Sequence, residues 1–222
     1  MFHVPCLMNL IIFGPQGSGK GTQANKLAEK FNLSHLETGQ IFRDIAREDS
    51  SLGRKIKELN ENKEMIPDQI TVEVLRHFLE LVPSEKGVIL DSAPRTFGQI
   101  EPVEKTMQEE GRTIDKAIYI ALSYEESVAR ITKRFACTKC FRHFVLGKDI
   151  QDSSENCPTC GGLIMQRGDD TPDGIAKRLK TFYEVTMPVI EHYRAKGMLI
   201  EVDGKQGVEE VFEDILRGLN KE

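Results

Sequence analysis

A chain of 222 residues with 39% apolar and 29% charged side chains has material for one full core plus small insertions. No run reaches the ~18 consecutive apolar residues of a membrane span. With 30 basic against 35 acidic side chains and a net charge of −5, the chain lacks the bulk attraction to nucleic acid or an anionic membrane that a basic protein has, so an anionic ligand must be met by a local cluster. Of the five cysteines, four fall within 137–160, which suits metal binding in a reducing compartment better than a disulfide framework. Cys6 stands apart and reads as a tail thiol; residues 1–7 read as a tail without the basic start of a signal peptide.

The apolar run Leu10–Phe13 is followed by Gly14-Pro15-Gln16-Gly17-Ser18-Gly19-Lys20-Gly21-Thr22 and then by a helical pattern over 23–31. Strand, glycine loop and helix N-terminus, in that order, are what a phosphate-binding loop needs. The glycines let backbone N–H groups turn inward, and the helix end adds partial positive charge at the same point. Lys20 is placed to reach the outer phosphates; the hydroxyl usually next to it is displaced by one, to Thr22. Leu33–Leu36 reads as a short strand, with His35 a strand residue whose ring finds a partner. Residues 40–81 read as helix with breaks at Gly53 and Pro67, from apolar positions recurring at three or four.

Gly87–Leu90 is a wholly apolar strand ending at Asp91, followed by the loop Asp91-Ser92-Ala93-Pro94-Arg95-Thr96 and a helix over 97–110. A strand over 116–122 leads to a helix capped by Ser123 and ending near Arg134. The alternation predicts an α/β fold: a doubly wound, parallel, five-stranded sheet whose ligand site lies at the C-terminal ends of its strands. Beyond Phe135 the periodicity stops. Cys137-x-x-Cys140 and Cys157-x-x-Cys160, sixteen residues apart, have the spacing of a four-thiolate structural zinc ribbon, which leaves the metal no open position for catalysis. Thr171-Pro172 starts a long helix to about 196, kinked by Pro188; a strand over 198–202 and an amphipathic helix over 207–219 close the chain.

Arginine grips phosphate with a planar, permanently charged fork, and Arg43, Arg95, Arg130, Arg134, Arg167 and Arg178 stand near the loops and strand ends. Set beside the glycine loop, Thr38-Gly39-Gln40-Ile41-Phe42-Arg43, Leu90-Asp91-Ser92-Ala93-Pro94-Arg95-Thr96, Arg130-x-x-x-Arg134 and Arg167-Gly168-Asp169-Asp170 make the chain resemble the nucleoside monophosphate kinases, and among them the adenylate kinases with a long, zinc-bearing lid. The resemblance implies ATP on residues 14–22 with Arg130 and Arg134. It implies AMP at Thr38, Gly39, Arg43, Ser92, Arg95 and Gln99, with Arg167 and Arg178 shared, and Gln99 reading the adenine. Lys20, Asp91, Arg95, Arg134, Arg167 and Arg178 would carry the transfer, with magnesium accompanying ATP. It further implies a core over 8–37, 68–134 and 167–222, an AMP-binding insertion over 38–67, a zinc lid over 135–166, and a cytoplasmic monomer acting on small molecules without nucleic acid or membrane partners. The chain departs from the family pattern at Glu37, Gln40, Ser92-Ala93 and Lys133, where a small polar residue, Asp, Gly-Phe and Gly are usual. Three of these border the AMP side, so a kinase for another monophosphate is the alternative within enzymes, and a regulator that has lost catalysis is the alternative outside them.

Overall fold

In a computed structural model, residues 7–62, 64–140, 142–147, 149–166 and 170–220 are described. Along these the strands are β1 (Asn9–Phe13), β2 (Ser34–Glu37), β3 (Val88–Asp91), β4 (Lys116–Ala121), β5 (Arg134–Cys137), β6 (His143–Val145), β7 (Ile164–Gln166) and β8 (Leu199–Asp203). The α-helices are α1 (Lys20–Phe31), α2 (Thr38–Ile45), α3 (Ser51–Glu61), α4 (Asp68–Glu80), α5 (Ile100–Glu109), α6 (Tyr124–Ile131), α7 (Pro172–Thr181), α8 (Met187–Ala195) and α9 (Val208–Leu219).

Five strands form one parallel sheet in the order β2-β3-β1-β4-β8. The inner strands β3, β1 and β4 are largely apolar on both faces because both are covered. Ile11, Phe13, Val88, Leu90, Ala117 and Tyr119 pack against α4, α5 and α8 through Leu75, Leu79, Val103, Met107 and Tyr193. Their alternates Leu10, Ile12, Ile89, Ile118 and Ile120 face α1 and α9 through Leu27, Val211 and Ile215. This is the doubly wound architecture that the strand and helix alternation predicts. Leu27 is fully buried, and emptying such a site by Leu→Ala costs about 2–5 kcal/mol. A second, antiparallel sheet, β6-β5-β7, carries the cysteine pairs over a small core of Phe144, Ile150 and Ile164.

Three local expectations change and a fourth gains detail. Gly53 does not break a helix: it lies in the first turn of α3, where Ser50 Oγ caps its N–H at 2.9 Å, and a Cβ there would collide with the carbonyl oxygens of Ile45 and Glu48. The break falls instead before Ser50, and the glycine lets α3 start against the end of α2. The 97–110 helix opens with a 3₁₀ turn, Phe97–Gln99. α6 ends at Ile131, and Arg134 is the first residue of β5. Before Pro188 the helix also widens: Phe182–Thr186 forms a π-turn between α7 and α8. Proline lacks the N–H that would bond the carbonyl four residues back, and its ring crowds that carbonyl, so the preceding turn expands. Thr171 and Ser123 cap α7 and α6 as expected, accepting from Gly174 and Glu126.

Candidate functional site

The glycine loop, Thr38, Arg43, Asp91, Arg95 and Gln99 gather where β1, β2 and β3 end. In the loop after β1, Gly17 and Gly19 have φ of 83° and 87°, a conformation that side-chain-bearing residues adopt only under strain. The loop closes through Ser18 N–H donating to Pro15 O at 3.1 Å, and Gly19 hands the chain to α1 with Lys20 as its first residue. Arg130 reaches over from α6, donating to Gly17 O at 3.3 Å and to Lys205 O at 3.4 Å. The turn after β8 thereby joins the site through a backbone carbonyl, which no residue-type signal could have announced.

Asp91, at the end of β3, is buried and aimed at the start of α1; a Cβ on Gly21 would sit 3.7 Å from its Oδ2. Burial opposes its charge, but Lys20 and hydrogen-bonded His35 and Ser92 outweigh it and hold its pKa below the usual carboxylate value. Lys20 is shifted down, first by burial and then by the charge of Arg95, with Asp91 and Glu37 opposing. Arg95 is lowered by burial among the cleft walls although water reaches it; as an arginine it stays charged. His35 finds partners on both ring nitrogens, Asn25 Oδ1 at 2.8 Å and Asp91 Oδ2 at 3.4 Å, as a satisfied strand histidine should. The ligand atoms of His35, Glu37 and Asp91 all lie within 4.8 Å of one another.

Beside Asp91, Ser92 adopts φ 67° and donates from Oγ to Asp91 Oδ1 at 2.8 Å. Thr38 is buried, its hydroxyl donating to the carbonyls of Asp91 and Ser92 at 3.1 and 3.3 Å, so it ties α2 to the β3 loop rather than facing solvent. Arg43 and Arg95 converge over Gly39: a Cβ there would lie 3.4 Å from Arg43 Nη1 and 3.8 Å from Arg95 Nη2. Gln99 is also buried, its Oε1 accepting from Arg95 N–H and its Nε2 donating to Asp68 Oδ1, both at 2.7 Å. That fixes which way the amide points and leaves it one N–H and one lone pair.

Arg134 and Arg178 meet on Asp170, whose carboxylate accepts from Arg134 Nε and Nη2 at 2.9 and 2.7 Å and from Arg178 Nη2 at 2.7 Å. Asp170 therefore bridges the first residue of β5 and helix α7. Sequence reasoning passed over Asp170 and Asp68 as organisers; an acidic residue within reach of several candidate arginines was the available signal. Arg167 lies outside the described residues, as does Cys6.

The four ribbon cysteines come together, with Cys137 and Cys160 sulfurs 3.5 Å apart and those of Cys140 and Cys157 3.6 Å apart. A tetrahedron with metal–sulfur bonds of about 2.3 Å has edges of about 3.8 Å, so the set fits a thiophilic ion. Backbone N–H groups of Cys140 and Lys139 aimed at Cys137 lower its pKa to about 6. Burial opposes the Cys157 thiolate, but the N–H groups of Thr159 and Cys160 prevail and lower it too.

A family model described as adenylate kinase matches residues 12–198. Adenylate kinases of Lachnoclostridium phytofermentans, Archaeoglobus fulgidus and Caldanaerobacter subterraneus are similar to the chain. They are 39%, 36% and 35% identical over 214, 216 and 212 residues, covering 96% of this chain in each case and 99%, 99% and 96% of theirs. With the glycine loop, the strand-end carboxylate and the Arg43 and Arg95 pair at the C-terminal ends of the strands, the chain belongs to the adenylate kinase family of nucleoside monophosphate kinases.

Proposed function

We propose that the chain catalyses reversible, magnesium-dependent transfer of the ATP γ-phosphoryl group to AMP, giving two ADP. The observation that carries this reading is the convergence of Lys20, Asp91, Arg43 and Arg95 at adjoining strand ends, with Gln99 locked in orientation beside them. On it, residues 14–22 with Arg130 hold ATP, the surface over Gly39 holds the AMP phosphate, and Arg134, Arg178 and Arg167 meet the transferring group. The AMP phosphate is mostly dianionic at neutral pH, since its second pKa is near 6, so its oxygen can attack without a general base. What the chain must supply is alignment, positive charge and exclusion of water.

The segment 135–166 serves as the lid that excludes water, 38–67 as the acceptor-binding insertion, and 8–37, 68–134 and 167–222 as the core. Asp91, held ionised, supplies a hard oxygen suited to magnesium through water; bound with ATP, magnesium would neutralise charge on the phosphate oxygens. Four thiol donors favour zinc as the ion at Cys137, Cys140, Cys157 and Cys160, where it would hold the lid as one body. Among the described residues no helix is long and apolar enough to cross a membrane, and the proposed setting is a cytoplasmic monomer.

The deciding experiment follows ADP formation from magnesium-ATP with AMP, GMP, UMP and CMP in parallel, with Lys20→Met as control. Rapid transfer to AMP alone supports the reading. Preference for another monophosphate would reassign the acceptor, and nucleotide binding without transfer would make the chain a regulator. For the lid, zinc at 100 to 1,000 times its Kd is worth about 3–4 kcal/mol, and a chain of this size shifts by about 2–4 °C per kcal/mol, so complete chelation should lower Tm by ~6–16 °C. An unchanged melt would reject a structural ion.

A further inference from the structure

β2 runs into α2 without a loop, which puts the side chain of its last residue, Glu37, at the mouth of the cleft in register with Asp91. Glu37 Oε1 accepts from Arg43 Nη2 at 3.0 Å, both side chains being about one-third exposed. Gln40 completes the grip: its Oε1 accepts from Arg43 Nε and Nη2 at 3.1 and 2.8 Å, while its Nε2 is anchored on Asp44 Oδ1 at 2.8 Å. The Glu37 charge is also felt at Lys20 and Arg95. A carboxylate thus stands among three cations, paired to one of the two guanidiniums that converge over Gly39. A planar oxyanion on an arginine fork is the contact a phosphate would make.

We propose that Glu37 is a built-in competitor of the acceptor phosphate: it occupies Arg43 in the empty cleft, is displaced by an incoming nucleoside monophosphate, and so sets the affinity for that substrate. This rests on the reading of Arg43 and Arg95 as the acceptor cradle. The neutral Gln40 can stay beside Arg43 when a dianion arrives; Glu37 cannot stay without like-charge repulsion. The internal pair therefore weakens acceptor binding, speeds its release, and keeps stray anions off Arg43. The other occupant the geometry offers Glu37 is a divalent cation shared with His35 and Asp91, and the two predict opposite kinetics.

The test measures KM for AMP, KM for ATP, kcat and the magnesium requirement in wild type, Glu37→Gln, Glu37→Ser, Arg43→Gln and the Glu37→Gln/Arg43→Gln double variant. Since the pair is partly exposed, removing the carboxylate should lower KM for AMP by about three- to tenfold, with kcat changed less than KM and KM for ATP unmoved. In the Arg43→Gln background the same change should shrink below about twofold, because the competitor has lost its target. An unmoved or raised KM for AMP overturns the proposal. So does a shift of equal size without Arg43, which would mark a general charge effect, and so does a fall in kcat with a higher magnesium requirement, which would assign Glu37 to a cation. If wild type transfers phosphate to no monophosphate, the reading of the cradle fails as well; if it transfers to AMP and Glu37→Gln behaves like wild type, only this proposal fails.

Discussion

The loop over 14–22 and the cradle over Gly39 lie at neighbouring strand ends of one sheet, yet they are made of different material. The loop offers backbone: two glycines in left-handed conformation, a helix N-terminus and a single lysine. The cradle offers side chains, Arg43 and Arg95, and fills part of its own space with Glu37 and Gln40. A backbone nest is set by the fold and holds its geometry with or without ligand. A side-chain cradle is held by internal partners, and a partner with the ligand's own sign of charge, as Glu37 has, then competes with it. Substitution is therefore expected to act on the two sites differently.

The largest expected effect is on the loop side. Lys20→Met should lower kcat by at least about 10²–10³, the range seen when one pre-set charge or donor is removed from a developing oxyanion. Its stability should change far less, because two effects oppose. Folding lowers the Lys20 pKa, chiefly by burial, so a neutral side chain removes a desolvation cost at neutral pH, but it also takes from buried Asp91 its main counter-charge. Thermal melts should show Tm within about 4 °C of wild type; a larger fall would mean that Lys20 holds Asp91 and the loop together rather than only serving the site.

Next in size, Arg43→Gln should raise KM for AMP by about 10- to 100-fold, as expected for loss of a charged hydrogen-bonding partner, with KM for ATP nearly unchanged. Equal damage to both constants, read from initial rates, would show that the loop and the cradle are not separable. Asp170→Asn weakens the fork that joins Arg134 to Arg178 and should cost about 1–3 kcal/mol in urea unfolding, less than a fully buried pair because both arginines are partly exposed.

The smallest effect sharpens the contrast between backbone and side chain within the cradle. Ser92 holds a left-handed φ that costs a non-glycine residue about 1–2 kcal/mol, partly offset by its hydrogen bond to Asp91. Ser92→Ala keeps the strain and loses the bond, whereas Ser92→Gly removes both. Glycine should therefore be more stable than alanine by about 1 kcal/mol. The reverse order, from denaturant midpoints, would show that the backbone there relaxes on substitution.

Much of this molecule was legible in residue order. Apolar runs at 10–13, 87–90 and 117–122 ended in glycine, aspartate or serine, and strand spacing with intervening helices leaves little but a parallel, doubly wound sheet. Two Cys-x-x-Cys pairs predicted their own convergence, because ligand spacing is a local property. Gly53 was misread in detail: a glycine in a helical run is ambiguous between a break and a close approach, and only the carbonyls of Ile45 and Glu48 settle which it is.

What tertiary structure alone decided is who holds whom. Sequence determined that arginines, an aspartate and a lysine stand at strand ends; it could not tell that Asp170 joins Arg134 to Arg178, that Asp68 orients Gln99, or that Glu37 sits on Arg43. Periodicity and motif spacing report what the backbone does over a few residues. Ion pairs between separate elements depend on sheet register and helix placement, and those are set by the packing of the whole core.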